Sequence, residues 1–383
     1  MRLLRTLRHW FIAAPREPAS RAHRARAGQH TLCRPAPVRR RVARRDIAWC
    51  LASLVALQAA LAVWIENKPE LRDPEYGRKI VDLKELLAES PGRPLFLALG
   101  SSRTLNGFRP ARLGGITAAD GSQPVFFNFG LTAHSPLHQL ACFHRLLNAG
   151  IRPRWVLVEI TPSFLPIQTN ASQMVTATAQ EWGDLQVLWR YESIPPWLYA
   201  WWLQSRAMPW FSHRFALTQR YLPSWVPPTF THFKVLDRMT DHGWLPLERV
   251  ASPDEWQKKV EDAKRGHKAT LEYFAVAPVA ARSLRELLGR CRDLGIAAGL
   301  VLTPEGTIFR SWYGSTTDSQ LDAFVCQLRD EFGIPVCDAR AWVPDACFWD
   351  GHHLLPEGSN LYTDRLKREL IGPMVRGECL PGR

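Results

Sequence analysis

Short apolar segments that alternate with helical segments constrain the fold of this chain more than any other feature. Each apolar segment is short, and glycine, proline or polar residues that favour turns lie on either side. The apolar segments are residues 94–99, 125–128, 155–160, 297–302 and 334–337. Helical spacing of apolar residues occurs at 75–90, 135–149, 317–332 and 358–371, and around Leu284, Leu287 and Leu288. This alternation predicts an α/β domain with a parallel sheet covered by helices on both faces.

The positive charge of the chain is concentrated in its first 45 residues. This arm holds thirteen arginines and one acid, a net charge of +12 out of the chain's +13, which leaves +1 for the remainder. The folded part therefore lacks the basic excess that nucleic-acid binding needs, and we expect no nucleic-acid partner. We interpret residues 1–45 as a disordered cytoplasmic arm.

An apolar run of 19 residues, Ile47 to Ile65, follows the arm. As a helix it is long enough to cross the ~30 Å hydrocarbon core of a bilayer. We predict a single-pass membrane anchor at 46–66, with the arginines in the cytoplasm and the C-terminal domain outside it, in a periplasm or at the cell surface. Two alternatives stay open. They are a buried core helix and a cleaved signal peptide processed near Ala60-Leu61-Ala62.

Two short motifs at predicted strand ends contain the residues of a catalytic triad. Gly100-Ser101-Ser102 follows the first strand, and Asp350-Gly351-His352-His353 precedes the last helix. A serine hydroxyl becomes a nucleophile when a histidine accepts its proton, and a carboxylate orients that histidine. In parallel sheets the active site lies at the carboxyl ends of the strands. Ser102, His353 and Asp350 are therefore the candidate nucleophile, base and acid. His352 is the rival base.

These motifs, in this order, resemble those of the SGNH (GDSL-type) hydrolase superfamily. Gly100-Ser101-Ser102 is similar to its first block, with Ser101 at the usual aspartate position, and Asp350-Gly351-His352-His353 is similar to its last. Phe127-Asn128-Phe129-Gly130-Leu131 is similar to the block that lines the oxyanion hole, which makes Asn128 and Gly130 candidate site residues. The resemblance implies a three-layer, flavodoxin-like fold. It also selects His353 over His352 as the base, and the amides of Ser102 and Gly130 as oxyanion donors.

The asparagine that the third block of the superfamily supplies to the oxyanion has no counterpart here, since residues 156–164 contain none. Arg103 and Asn106 lie close to the nucleophile in sequence and are candidate replacements, with loop packing as the alternative role. Glu159 and Glu305 lie near strand ends, where they would either contact substrate or stay solvated.

The missing asparagine makes the chain similar to a membrane-anchored branch that includes the D-alanyl lipoteichoic acid transfer protein and the alginate O-acetylation proteins. That resemblance implies serine O-acyl transfer, O-acetyl transfer in particular, or ester hydrolysis on a cell-envelope polysaccharide. We expect no cofactor and no metal, and a multi-pass membrane acyltransferase as a partner. Two alternatives stay open: a general esterase or lipase, and a non-catalytic polysaccharide-binding or assembly partner of a membrane acyltransferase.

A tryptophan- and proline-rich stretch at 165–270 interrupts the alternation of strands and helices. It holds nine of the sixteen tryptophans. We predict that it is an insertion that caps the active-site edge of a catalytic domain formed by 67–164 and 271–383. Three roles for its tryptophans stay open: filling the insertion's own core, lining a sugar-binding groove, and resting at the bilayer interface, as residues 197–202 would.

The cysteines allow disulfides but do not select a pairing. Six of the eight lie in the part expected outside the cytoplasm, where one or more bridges are expected, with buried free thiols as the alternative. No Cys-x-x-Cys pair is present, so we expect no structural zinc site.

Overall fold

The computed structural model of the protein describes residues 37–166, 181–191, 196–226, 235–240 and 242–378. Its helices, in chain order, are α1 Pro37–Glu66, α2 Pro69–Arg72, α3 Pro74–Glu89, α4 Ser102–Gly107, α5 Pro136–Asn148, α6 Trp182–Tyr191, α7 Pro196–Ala207, α8 Pro209–Tyr221, α9 Pro253–Glu272, α10 Pro278–Asp293, α11 Thr307–Arg310, α12 Thr317–Phe332, α13 Pro356–Leu366 and α14 Gly372–Arg376. A π-helical turn, Lys367–Ile371, joins α13 to α14. Its strands are β1 Leu95–Gly100, β2 Val125–Gly130, β3 Trp155–Ile160, β4 Ala297–Leu302 and β5 Val336–Asp338.

The five strands form one sheet in the order β2-β1-β3-β4-β5, and all four pairings are parallel. This is the flavodoxin-like order of a doubly wound α/β fold. The predicted fold class and all five predicted strands are confirmed. β1 and β2 each run further than predicted and end at Gly100 and Gly130, which pair in register. The carboxyl end of β1 therefore lies between those of β2 and β3.

Alternate residues of each strand face opposite layers, as expected for a sheet buried on both sides. Leu97 and Leu99 face a core formed with α3, α5, α10 and α12. Phe96 and Ala98 face a second core formed with α13 and the π-helical turn, where Tyr362 and Leu366 are buried. The helix predicted over 358–371, with its start near Pro356-Glu357-Gly358, begins at Pro356, since proline is favoured in the first position of a helix.

The apolar segment of α1, Val42–Glu66, is long and apolar enough to cross a membrane, and none of its most apolar window is buried. The buried core helix is therefore the wrong interpretation of this segment. A membrane span and a signal sequence both fit its length and composition.

Where the structure describes the tryptophan-rich stretch, most of it is helical, in α6, α7, α8 and α9, whereas residues 242–252 are not. Six of its nine tryptophans are exposed, so filling an internal core is the wrong explanation for most of them. The exposed ones are Trp182, Trp189, Trp197, Trp201, Trp210 and Trp225.

The cysteines of the folded part do not form the expected bridges among the described residues. Cys142, Cys291, Cys326 and Cys347 are free thiols. Cys379 lies outside the described residues.

Candidate active site

Ser102 lies where β1 turns into α4 at the carboxyl edge of the sheet. Ser101 is the N-cap of α4, and its hydroxyl accepts a hydrogen bond from the amide of Arg103 at 3.1 Å. This cap starts the helix directly after the strand, which places Ser102 in the first helical position. A β-carbon at Gly100 would lie 2.1 Å from the hydroxyl of Thr104, so the close approach of the two segments requires glycine there.

The loop that carries the acid and the base is held as a closed turn. Phe348 and Leu354 form an antiparallel bridge across it. Gly351 has a φ of +94°, a conformation that favours glycine, and its carbonyl accepts a hydrogen bond of 2.8 Å from the amide of Gly306. Since Gly306 follows β4, this bond fixes the loop at the same edge of the sheet as β1.

Ser102, His353 and Asp350 form a continuous chain of hydrogen bonds. Oγ of Ser102 lies 2.8 Å from Nε2 of His353, and Nδ1 of His353 lies 2.7 Å from Oδ2 of Asp350. The backbone amide of His353 also donates to Oδ1 of Asp350, at 2.9 Å. The structure therefore brings together the three residues that the sequence analysis selected, across 251 positions of sequence.

Asp350 is buried and ionised, and this sets the tautomer of His353. Burial alone would raise the pKa of the Asp350 carboxyl, but attraction by His352 and His353 and the hydrogen bonds from His353 hold that pKa far below its usual range. Because a carboxylate only accepts, Nδ1 of His353 donates to it, and Nε2 is left to accept the proton of the serine. This tautomer is the one that general-base catalysis requires.

His352, the rival base, packs beside the triad. Its ring lies 4.9 Å from the rings of both His267 and Phe309, and 4.0 Å from the ring of His353. Burial holds the pKa of His352 well below its usual value, so this ring is neutral. Its Nδ1 atom is 3.2 Å from Asp350 but has no hydrogen bond among the described residues. His352 therefore supports the loop by packing.

Glu159 is fully buried beneath the nucleophile turn, which corrects the expectation that it contacts substrate or stays solvated. The amides of Ser101 and Thr104 donate to Oε2 at 2.9 and 3.0 Å, and the hydroxyl of Ser101 donates to Oε1 at 2.6 Å. The hydroxyls of Thr104 and Thr161 also donate to this carboxylate. Five hydrogen bonds at the end of β3 thus fix the turn that presents Ser102.

Replacement of Glu159 by glutamine should destabilise the domain and slow its chemistry together. The glutamine amide keeps one acceptor oxygen, and its NH₂ group must face donors that then lose their acceptor. We expect Glu159→Gln to lower the free energy of unfolding by about 2–3 kcal/mol, the cost of unsatisfied buried donors. Urea unfolding followed by circular dichroism measures this change.

Glu331→Gln is the matched control for that substitution. The Glu331 side chain is 43% exposed and pairs with Arg285 at the surface, so its loss should cost under ~1 kcal/mol. Equal losses of unfolding free energy in the two variants would contradict the role of Glu159 in fixing the turn that presents Ser102.

Arg103 belongs to a buried ion pair rather than to an open loop. Its Nη2 atom lies 2.9 Å from Oε1 of Glu305, whose Oε2 accepts a hydrogen bond of 2.6 Å from the hydroxyl of Tyr313. The Arg103 and Glu305 side chains are 3% and 0% exposed, so the solvated interpretation of Glu305 is wrong. Nε of Arg103 donates to the carbonyl of His352 at 3.4 Å, and Nη1 has no acceptor among the described residues. Arg103 thus ties α4 to the catalytic loop, and its buried Nη1 group is left without an acceptor among the described residues.

Some of the candidate oxyanion donors already have a hydrogen-bond acceptor in the structure, and others have none among the described residues. The amide of Gly130 donates to the side chain of Asn128 at 2.9 Å, and the Asn128 side chain donates in turn to three backbone carbonyls. The Asn106 side chain donates to the carbonyl of Leu245 at 2.9 Å. Gly130, Asn106 and Asn128 thus donate to acceptors within the domain in this structure, and their role as oxyanion donors stays a prediction. The amide of Ser102 has no acceptor among the described residues and is available.

α9, at the C-terminal end of the 165–270 stretch, lies against the catalytic loop. The indole N–H of Trp256 donates to the carbonyl of Phe348 at 3.3 Å, and the ammonium of Lys259 lies 4.0 Å from the centre of the Trp349 ring. This end of the stretch therefore lies at the active-site edge, where the sequence analysis placed the insertion. Sequence reasoning did not identify Lys259 or Trp349 as neighbours of the site.

No family model matches the chain, and no curated protein matches it in sequence. The fold itself is shown: a five-stranded parallel sheet in the order 2-1-3-4-5, flanked by helices, with an apolar helix near the N-terminus.

Proposed function

We propose that the protein is a serine esterase or O-acyl transferase that acts through Ser102, His353 and Asp350. The observation that carries this proposal is the unbroken hydrogen-bond chain of 2.8 and 2.7 Å at the carboxyl edge of a parallel sheet. In open α/β folds, ligands bind at the carboxyl edge of the sheet. The order of the motifs along the chain supports the same conclusion.

The first half of the proposed reaction transfers an acyl group to Ser102. Its Oγ attacks the ester carbonyl as its proton moves to Nε2 of His353, and Asp350 stabilises the imidazolium. The amide of Ser102 and the buried Nη1 group of Arg103, which has no acceptor among the described residues, are the candidate donors to the oxyanion. Collapse of the tetrahedral intermediate breaks the bond to the leaving alcohol, which takes the proton from His353.

The second half of the proposed reaction releases the acyl group from Ser102. His353 deprotonates either water, which gives hydrolysis, or a sugar hydroxyl, which gives acyl transfer. The attack rebuilds a tetrahedral intermediate whose collapse returns the proton to Oγ of Ser102. The motifs that resemble the glycan-acylating branch favour transfer, with a cell-envelope polysaccharide as acceptor and a multi-pass membrane acyltransferase as the partner that supplies the acyl group.

Covalent labelling tests the enzyme proposal directly. A fluorophosphonate reacts with a serine that a neighbouring base activates, so the full-length protein should take up one label, at Ser102.

The non-catalytic binding partner is the second candidate function. The hydrogen bonds of Gly130, Asn106 and Asn128 within the domain favour it, since few oxyanion donors remain without an acceptor. Absence of both labelling and ester turnover would leave that candidate as the better one.

A reporter fused after residue 383 should be active only outside the cytoplasm. The arginines that precede Ile47 and the apolar segment Val42–Glu66 together favour a single span with its N-terminus inside. A periplasmic phosphatase fusion and a cytoplasmic fluorescent fusion form the matched pair for this measurement. Phosphatase activity that appears only after cell lysis would contradict the topology.

A further inference from the structure

The six exposed aromatic side chains of α7, α8 and the turn after them have no role in the proposed reaction. We call this set the aromatic apron: Trp197, Trp201, Trp210, Phe211, Tyr221 and Trp225, which are 42–74% exposed. The indole rings of Trp197 and Trp201 lie 5.1 Å apart, and α7 packs on α8. Single exposed apolar residues are common on soluble proteins, but six large aromatic side chains exposed on two packed helices and the turn after them are typical of an interaction surface.

The apron lies beside the last turns of the apolar helix α1. The amide of Trp210 lies 3.4 Å from the side-chain oxygen of Gln58, and the rings of Tyr221 and Trp64 are 5.8 Å apart. Gln58 is eight residues before the end of α1 at Glu66, which corresponds to about 12 Å along the helix axis. A span that ends at Glu66 therefore places Trp210 at the depth of the outer half of the hydrocarbon core, and Tyr221 nearer its surface.

Apolar packing and an ion pair hold this arrangement. Leu217 of α8 packs against Ile65 of α1 and Leu71 of α2 in a small buried cluster. Nε of Arg206 lies 3.1 Å from Oε1 of Glu66, at the end of the apolar segment. The level of α8 relative to this end of α1 is thus set by contacts within the folded domain.

The charge of α7 and α8 fits an anionic surface. Residues 196–221 contain arginines at 206, 214 and 220 and no aspartate or glutamate. The guanidinium of Arg214 lies 4.2 Å from the centre of the Phe211 ring, so the basic and aromatic groups occupy one surface. Tryptophan next to arginine without acids is typical of segments that lie in the headgroup region of anionic membranes.

We propose that the aromatic apron docks into the outer leaflet of the bilayer, next to the point where α1 leaves it. The occupant is lipid: acyl chains contact the indole rings, and anionic headgroups contact Arg214 and Arg220. This proposal rests on the placement of α1 as a membrane span under the proposed function. Such docking would give the domain two contacts with the membrane and so fix its orientation to the surface.

Quenching by brominated lipid tests this proposal on the full-length protein. The protein is reconstituted into vesicles of phosphatidylcholine and phosphatidylglycerol, with and without bromine on the acyl chains. The test variant combines Trp201→Phe, Trp210→Phe and Trp225→Phe. Its lipid-quenchable fluorescence should fall by about half, because three of six exposed tryptophans of α1, α7, α8 and the turn are removed.

Trp342→Phe is the control variant, since Trp342 packs against Tyr362 in the second core of the domain. Its substitution should remove fluorescence that the lipid does not quench. If the triple variant behaves like this control, the apron does not contact lipid and the proposal is overturned, leaving a protein partner as the occupant. Because the vesicles contain no other protein, unquenched apron tryptophans cannot be attributed to competition for the surface.

Two parallel measurements separate this proposal from those on which it depends. Flotation with the vesicles reports whether α1 anchors the protein, and loss of flotation overturns the span and the docking together. Fluorophosphonate labelling on the same vesicles reports the triad. Quenching without labelling keeps the docking and rejects the enzyme proposal, whereas labelling without apron quenching does the reverse.

Discussion

Ser102→Ala should eliminate fluorophosphonate labelling and ester turnover while leaving the fold intact. Removal of the nucleophile of a triad typically lowers turnover by on the order of 10⁵–10⁶, because no other group can form the acyl-enzyme. The Ser102 side chain is small and partly exposed, and its described hydrogen bond is to His353, so its loss should cost little stability. Gel fluorescence of the label, hydrolysis of a small acetyl ester and thermal unfolding measure the three effects.

Ser101→Ala is the matched control for this substitution. Its hydroxyl caps α4 and donates to Glu159, so its loss should cost about 1 kcal/mol or somewhat more of stability while labelling persists. Labelling of the Ser102→Ala protein would place the nucleophile elsewhere.

A chelator should leave the labelling of the wild-type protein unchanged. A loss of label would instead indicate a metal held by Asp350, His352 and His353, whose ligand atoms lie within 4.8 Å of one another.

The sheet was predictable because local patterns determine it. Each buried strand is a short apolar run closed by turn residues, and all five appear in the structure close to the predicted bounds. The triad was predictable for a related reason. Strand β1 ends in a Gly-Ser-Ser turn, and Asp350 lies three residues from His353. Because open α/β sheets bind their ligands at the carboxyl ends of their strands, these motifs were expected to meet at one site.

The supports of the triad depend on contacts between distant segments, which local patterns do not reveal. Glu159 lies near the end of the apolar strand β3 and was expected to contact substrate or stay solvated, but β3 lies beside β1 and buries Glu159 under the Ser101 turn. The sequence offered one hint of this burial: Thr104 and Thr161 lie close to the two strand ends, and their hydroxyls donate to Glu159 in the structure. Arg103 and Glu305 were likewise treated as separate loop residues, although they form one buried ion pair.

The oxyanion hole shows the same limit of local sequence. The block that contains Gly130 was recognised, but the acceptor of its amide is the side chain of Asn128, two residues away. Whether that amide is available depends on a rotamer that the contacts of Asn128 with α4 determine, and no spacing rule predicts it. If substrate reorients Asn128, the amide of Gly130 would become a donor, and Asn128→Ala would then raise rather than lower the labelling rate.

His353→Ala should abolish ester turnover, whereas His352→Phe should remain clearly active. His353 is the residue whose Nε2 atom contacts Oγ of Ser102, and no other base among the described residues has a hydrogen bond with that hydroxyl. The expected loss is on the order of 10⁴-fold or more. His352 has a neutral ring packed against Phe309, and phenylalanine preserves that packing. We expect His352→Phe to lower turnover by less than about tenfold, as for a change that leaves the reacting groups in place.

The pH profile separates a base from a packing residue in this pair. Asp350 stays ionised and His352 stays neutral, so neither group should contribute to the pH dependence of turnover. His352→Phe should therefore leave the wild-type pH profile unchanged. His353→Ala should leave only a residual rate that lacks the pH dependence of the wild type. If His352→Phe abolishes turnover and His353→Ala retains it, the base is His352, and the 2.8 Å contact of Ser102 with His353 is structural.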